Sequence, residues 1–109
     1  MGEEKATNFL KNLGYWILVR NFKTNSGEID IIAKDKDEYV FIEVKTRVSK
    51  KYGKPVEAIN ENKKKHIIQT SKYYIYVNQL ENKIIRYDVI EVYINEKDYL
   101  INHIKNVFF

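Results

Sequence analysis

Two apolar segments of the chain are each interrupted by charged residues. Asp30 lies in the first segment, and the second contains Glu43-Val44-Lys45. Side chains two residues apart on a strand share a face, so Glu43 and Lys45 would point the same way. A carboxylate can bind a divalent cation, and a nearby ammonium can stabilise negative charge that develops on a phosphoryl oxygen. The residue types therefore fit metal-assisted hydrolysis of a phosphodiester, although the Glu-x-Lys spacing alone is common.

The two segments predict a β-hairpin made of residues 28–34 and 39–45. Its expected register pairs Asp30 with Glu43 and Glu28 with Lys45, all on one side of the ribbon. Ile32 and Phe41 pair on that same side. The opposite side is apolar and consists of Ile29, Ile31, Ala33, Val40, Ile42 and Val44. One face should therefore pack on a core, while the other gathers three carboxylates and a lysine.

Placing two acids opposite each other on neighbouring strands is unfavourable. Two carboxylates about 5 Å apart repel each other by about 0.8 kcal/mol in water, or about 3 kcal/mol at an effective dielectric constant of 20. A Mg²⁺ ion, or Mn²⁺ in its place, would offset this repulsion with carboxylate, water and phosphate ligands. A solvated face of mixed charge, with Lys45 as counterion, would satisfy the same residues, so the hairpin alone leaves both readings open.

The basic residues of the chain are concentrated in one stretch. The net charge is +4, but residues 44–66 contain eight bases and two acids, a local charge of +6. The candidate phosphate contacts in this stretch are Arg47, Lys50, Lys51, Lys54, Lys63, Lys64 and Lys65. A nucleic acid is the partner expected for such a segment, and the composition does not separate DNA from RNA. A solvated Lys-rich surface would have the same composition.

The patterning predicts an α/β fold in one domain, residues 1–109. An amphipathic helix is expected at Glu3–Leu13, followed by a three-stranded meander over Tyr15–Phe22, Glu28–Lys34 and Tyr39–Thr46. After a loop at Val48–Pro55, a long helix is expected at about Val56–Val77 and a strand at Ile84–Ile94. The short element at Tyr99–Ile104 has no clear type.

Several classes of protein are disfavoured by composition. The chain has no cysteine, which removes disulfides and thiolate metal sites. No apolar run approaches the roughly 20 residues of a membrane span, and the first residues lack the layout of a signal peptide. A cytoplasmic protein without membrane contact is therefore expected. His66 and His103 have no zinc-site spacing and are interpreted as structural or surface residues.

Motifs along nearly the whole chain resemble the YraN family, a bacterial group of restriction-endonuclease-like proteins that are similar to archaeal Holliday-junction resolvases. The two most specific blocks are Gly27-Glu28-Ile29-Asp30 and Phe41-Ile42-Glu43-Val44-Lys45-Thr46-Arg47. Further matching motifs are Gly2-Glu3, Gly14-Tyr15, Arg20-Asn21-Phe22, Lys64, Tyr87-Asp88-Val89 and His103-Ile104. The chain departs from the usual Ala-Phe ending with Val107-Phe108.

The resemblance implies a restriction-endonuclease-like three-layer core, with a mixed central sheet between the N-terminal helix and the long helix. It implies a metal-dependent endonuclease in which Asp30 and Glu43 bind Mg²⁺ and Lys45 assists catalysis. Glu3 matches a helical glutamate that resolvases bring to the same metal. Glu28 and Arg47 match positions characteristic of the family and are expected to support catalysis and nucleic-acid binding, respectively.

The resemblance also implies branched or structured DNA as substrate, and a homodimer, because a junction presents two symmetric strands. Since a fold does not establish an activity, a non-catalytic nucleic-acid-binding module of a repair or DNA-processing assembly is the alternative.

Overall fold

A five-stranded mixed sheet forms the centre of the protein in a computed structural model that describes residues 2–48 and 60–108. The elements in chain order are α1 (Gly2–Asn12), β1 (Trp16–Thr24), β2 (Gly27–Asp35), β3 (Glu38–Val48), α2 (Glu61–Val77), β4 (Ile84–Ile94) and β5 (Tyr99–Ile104). The strands are arranged in chain order from β1 to β5. Only β3 and β4 are parallel, and the other neighbours are antiparallel. A parallel pair needs a crossover connection, which contains α2.

The two helices pack on opposite faces of this sheet. The apolar stripe of α1, which includes Ala6 and Leu10, packs against Ile31, Val40 and Ile90 on one face. Tyr74 of α2 packs with Ile32 and Phe41 on the other face. Both sheet faces are therefore covered, and the predicted three-layer restriction-endonuclease-like architecture is confirmed.

The predicted elements agree with the structure within a few residues at most ends. The segment of unclear type at Tyr99–Ile104 is a strand that pairs with β4. The long helix ends at Val77 as predicted, and in the described part of the chain it begins at Glu61. Asn60 caps it, because the Asn60 side chain accepts a hydrogen bond from the Lys63 backbone at 2.8 Å. The predicted loop beyond Val48 and the predicted first turn at residues 56–59 lie outside the described residues.

The β2–β3 hairpin has the predicted register, but its ladder is shorter than expected. It pairs Ile32 with Phe41 as predicted and ends at Ile31 with Ile42. Beyond that point β2 remains paired with β1 as far as Gly27, and β3 remains paired with β4 as far as Val48. The sheet therefore divides at Ile31 and Ile42 into a β1–β2 arm and a β3–β4–β5 arm, and we call this division the fork.

The fork corrects the prediction that Ile29 shares the apolar face of Ile31. Ile29 instead packs in the opposite core with Ile32 and Phe41, beneath α2. Side chains alternate only along a regular strand, and the β1–β2 ladder omits Asp30 and its neighbour Asn21. Asn21 has a left-handed backbone with φ of 56°, which breaks the alternation locally.

Candidate functional site

Asp30 lies at the fork, with its carboxylate directed at the neighbouring strand. Its Oδ2 accepts a hydrogen bond from the Val44 backbone N–H at 2.8 Å, where a regular ladder would offer a carbonyl. The side chain thus replaces a backbone acceptor at the point where β2 and β3 separate. Asp30 and Glu43 are not a ladder pair as the hairpin predicted, but the fork still brings their carboxyl groups together.

The pKa of Asp30 is raised above its ordinary value by burial and, in part, by the neighbouring Glu43. Burial raises this pKa, and the hydrogen bond with the Glu43 carboxyl raises it further, to about 8. The Val44 N–H acts in the opposite direction, and the negative charges of Glu43 and Glu3 add to the increase. Burial and the adjacent Glu43 therefore both favour the protonated form of Asp30.

Glu43 is buried at the base of the same site, with only 8% of the residue exposed. Its Oε2 forms an ion pair with the Lys63 ammonium of α2. The same oxygen is buried and accepts no hydrogen bond of normal geometry from the described residues. A buried carboxylate oxygen that is paired with an ammonium lies where a positive charge is favoured, so it is also a suitable ligand for a metal cation.

The two acids open onto a cleft of about 600 Å³ between the fork and the first turns of α2. Its walls are formed by Gly27, Glu28, Asp30, Glu43, Val44, Asn60, Asn62, Lys63, His66 and Ile67. In the described part of the chain, no group of three or more Asp, Glu, His or Cys side chains is placed to hold a metal ion. The donor set nevertheless fits Mg²⁺, which is held in many proteins by one or two carboxylates and completes its octahedron with water and phosphate.

Glu3 approaches the site from α1. Its carboxylate forms an ion pair with Arg20 at 3.5 Å and lies near enough to Asp30 to raise the pKa of that residue. The preceding residue explains the close approach of the helix, because a Cβ on Gly2 would lie 1.8 Å from Oγ1 of Thr46 on β3. Glu3 as a third metal ligand stays a prediction.

Lys45 and Glu28 are not paired with each other as the hairpin register predicted. Glu28 is exposed and forms an ion pair with Lys23 of β1 at 3.4 Å, although it also borders the cleft. Lys45 is half-buried two residues beyond Glu43, and its neighbour on the parallel strand is Glu91. The Lys45 ammonium forms no hydrogen bond or ion pair with another described residue. The fork separates the strands that the prediction paired, which explains the difference.

Arg47 is held by a buried acid that sequence reasoning missed. Glu91 of β4 is fully buried, and its Oε2 lies 3.3 Å from the Arg47 Nε. Asn102 of β5 donates to the other carboxylate oxygen at 3.0 Å. Arg47 and Glu43 lie on the same face of β3, so Glu91 fixes a guanidinium on the strand face that carries Glu43.

The predicted phosphate contacts on α2 have different surroundings. Lys65 is exposed, whereas the Lys64 ammonium lies over the Phe108 ring at 5.3 Å from its centroid. Lys63 faces the acid pair and is a member of the site itself, which its position in a basic run did not reveal. The remaining predicted contacts, Lys50, Lys51 and Lys54, lie outside the described residues.

A second charged cluster, which sequence reasoning also missed, is centred on Arg86 at the turn end of the hairpin. The Arg86 guanidinium donates to Asp88 at 3.0 Å, to Glu38 at 2.8 Å and to the Tyr15 hydroxyl at 2.6 Å. The Nε2 of His103 lies 2.7 Å from Asp88. The motifs Tyr87-Asp88-Val89 and His103-Ile104 contain two of these residues, but nothing in their spacing along the chain brings them together.

Comparison with known proteins places the chain in a family. The model of the uncharacterised protein family UPF0102 matches residues 2–92. The chain belongs to this family. It is the YraN group that the sequence motifs indicated, and that prediction is confirmed.

Relatives in UPF0102 match almost the entire chain. UPF0102 proteins from Caldicellulosiruptor saccharolyticus and Clostridioides difficile are each 50% identical to it over 109 and 107 residues, with 98% of this chain and 92% of each relative covered. A UPF0102 protein from Clostridium botulinum is 52% identical over 110 residues and is covered to 89%. Among the described residues, neither helix is long and apolar enough to cross a bilayer.

Proposed function

We propose that this UPF0102 protein is a Mg²⁺-dependent nuclease that hydrolyses phosphodiester bonds in DNA, with branched or structured DNA as the preferred substrate. The observation that carries the proposal is the meeting of Asp30 and Glu43 at the fork, in a cleft wide enough for a phosphate group. The buried Glu43 Oε2 is paired with the Lys63 ammonium and so lies where a cation is favoured, which supports its role as a metal ligand.

Each residue of the site then has a defined role. Asp30 and Glu43 would hold the cation, which supplies Lewis-acid polarisation of the phosphate and a more acidic bound water. Lys45, two residues from Glu43 on the same strand face, would place an ammonium beside the phosphoryl oxygens. Arg47, fixed by Glu91, would bind a neighbouring phosphate. Glu28 and Glu3 border the site and would orient water or complete the ligand set.

The experiment compares the protein with Glu43→Gln, which keeps the shape of the side chain and removes its charge. Both would be incubated with junction, flap, single-stranded and duplex DNA, each with Mg²⁺, with Mn²⁺ and with chelator. We expect cation-dependent cleavage by the original protein and a loss of at least about a hundredfold in the variant. Glu96→Gln, on an exposed residue, serves as the matched control. Equal cleavage by Glu43→Gln would overturn the assignment.

The second candidate is a non-catalytic nucleic-acid-binding module with the same fold. Its specific support is that the described residues provide a pair of acids and no group of three metal-capable side chains. It predicts DNA binding without cleavage under any cation. Binding by either candidate should weaken steeply between about 50 and 200 mM salt, because lysine contacts to phosphate release counterions. An affinity that does not change with salt would contradict both.

A further inference from the structure

Lys63 lies across the cleft from the acid pair, in the first turn of α2. Its backbone N–H is fixed by the Asn60 side chain at 2.8 Å, and its ammonium reaches the Glu43 Oε2. In the described chain it is the only basic side chain that forms an ion pair with either Asp30 or Glu43. The lysine expected near the acids, Lys45, forms none with described residues.

The burial of the two partners differs. The Glu43 side chain is 9% exposed, whereas the Lys63 side chain is 49% exposed. The carboxylate therefore cannot recover its hydration if its counterion leaves, but the lysine can swing into water on its flexible stem. A buried charge without a partner is unfavourable, so the metal-free site needs a cation at this position.

We propose that Lys63 is the internal counterion of the acid pair, occupying the cation position beside Glu43 until a divalent metal ion displaces it. This inference rests on the proposed function, since it assumes that Asp30 and Glu43 bind the metal. A divalent ion and an ammonium cannot both contact Oε2, because they repel each other and compete for the same oxygen. Lys63 thus stabilises the metal-free protein and weakens metal binding.

The displaced ammonium would remain at the mouth of the cleft, because α2 is anchored there by close packing. A Cβ on Gly27 would lie 3.2 Å from the His66 Cβ, which shows how tightly this turn of the helix is seated on β2. Lys63 therefore competes with the metal for Glu43, and after displacement its ammonium stays within the site that would receive a phosphate.

The test is a titration of the full-length protein with Mn²⁺ alone, without nucleic acid, followed by calorimetry or by the electron paramagnetic resonance of unbound Mn²⁺. The variants are Lys63→Met, which removes the competing charge, and Lys63→Arg, which keeps it. Lys65→Met is the matched control, since it removes the same charge from an exposed position on the same helix. Glu43→Gln reports whether the observed binding occurs at the acid pair.

We expect Lys63→Met to bind Mn²⁺ roughly five- to tenfold more tightly than the original protein, and Lys65→Met to differ by less than about twofold. Lys63→Arg should remain close to the original. Without metal, Lys63→Met should unfold at a lower temperature than Lys65→Met, and saturating Mn²⁺ should remove most of that difference. Lys63→Gln also removes the charge with a polar side chain, and it should bind Mn²⁺ as tightly as Lys63→Met if the effect is due to charge and not to the methionine side chain.

The outcomes separate the two proposals. If Mn²⁺ binding is lost in Glu43→Gln but equal in Lys63→Met and Lys65→Met, the metal site stands and the role of Lys63 is overturned. If Mn²⁺ binds no variant, or binds Glu43→Gln unchanged, the metal site is overturned and the role of Lys63 with it.

Discussion

At the scale of single residues, the site contains a carboxyl group that the fold keeps from ionising normally. Asp30 is half-buried beside Glu43 and near Glu3, and these surroundings raise its pKa to about 8. Local structure that opposes stability is common at functional sites, where a ligand or cation later relieves it. The pair of acids at the fork therefore opposes folding, and the cation proposed above would relieve the repulsion between them.

We predict that Asp30→Asn raises the thermal stability of the metal-free protein at pH 7 to 8. The amide oxygen can still accept the Val44 N–H, and the neutral amide does not need to take up a proton on folding as the Asp30 carboxyl does. Each 1 kcal/mol regained would raise Tm by roughly 4 °C in a chain of this size. The measurement is a thermal scan in chelator, with the exposed turn variant Asp37→Asn as control. An unchanged or lower Tm for Asp30→Asn would show that the acid pair is not strained.

The same residue predicts a pH dependence. The pKa of Asp30 is about 8 in the folded state and has an ordinary value of 3.8. Between about pH 4 and pH 8 the folded protein therefore keeps the Asp30 proton, whereas the unfolded chain has lost it. The contribution of Asp30 to the free energy of unfolding should therefore fall as pH rises from about 4 to about 8. Urea unfolding at intervals across this range should show the decline in the original protein and a weaker one in Asp30→Asn. Parallel curves for the two proteins would contradict the assignment.

At the scale of elements, the position of α2 over the fork depends on a glycine. Gly27 has a φ of 153°, and a Cβ there would lie 3.2 Å from both the His66 Cβ and the Thr70 Oγ1. This contact brings Lys63 and His66 to the cleft. The Gly-Glu-Ile-Asp block thus combines a residue that seats the helix with an acid that forms the site.

We predict that Gly27→Ala destabilises the protein by about 1–3 kcal/mol, since it adds backbone strain and a steric contact with α2. It should also weaken Mn²⁺ binding, because the helix that borders the acid pair must shift. Gly14→Ala is the matched control, for Gly14 also has a positive φ, of 92°, but a Cβ there would meet no atom within 4 Å. Urea unfolding and Mn²⁺ titration should show a stability loss in both variants and weaker metal binding only in Gly27→Ala. Equal Mn²⁺ affinity in Gly27→Ala and Gly14→Ala would mean that the packing of α2 on Gly27 does not affect the geometry of the acid pair.

At the scale of the whole molecule, the cluster around Arg86 ties together parts of the chain that are distant in sequence. It joins Tyr15 after α1, Glu38 at the hairpin turn, Asp88 on β4 and His103 on β5. Burial raises the pKa of Asp88, but the hydrogen bonds from His103 and Arg86 outweigh this effect and lower the pKa below its ordinary value. An ionic network thus ties the hairpin turn and the residue after α1 to β4 and β5.

We predict that Asp88→Asn lowers the free energy of unfolding by about 3 kcal/mol at pH 7, because it leaves the buried Arg86 without its main counterion. Since the pKa of Asp88 is lower in the folded state, its stabilisation is present above about pH 4 and is lost as pH falls below that value. Glu38→Gln, at a half-exposed partner of the same arginine, should cost less than about 1 kcal/mol. Urea unfolding at pH 7 and pH 3 measures both. A loss of equal size at the two pH values would contradict the ionic role.

Local patterns determined most of the architecture of this protein. Alternating and helical periodicity identified both helices and four strands, and the register that pairs Ile32 with Phe41 followed from the short turn between the strands. The hypothesis that Asp30, Glu43 and Lys45 carry the chemistry also came from sequence, since two carboxylates within neighbouring apolar strands repel each other unless a cation offsets the repulsion. The side on which Ile29 packs did not follow, because period-two alternation assumes a strand without a break.

Tertiary structure alone decided which charges meet. The fork directs Asp30 at the Val44 N–H, the capped first turn of α2 brings Lys63 to Glu43, and strand order buries Glu91 beside Arg47. These contacts join residues between 14 and 44 positions apart in the chain. Sequence spacing determines which residues share a strand face, but the division of a sheet and the seating of a helix depend on packing between distant segments.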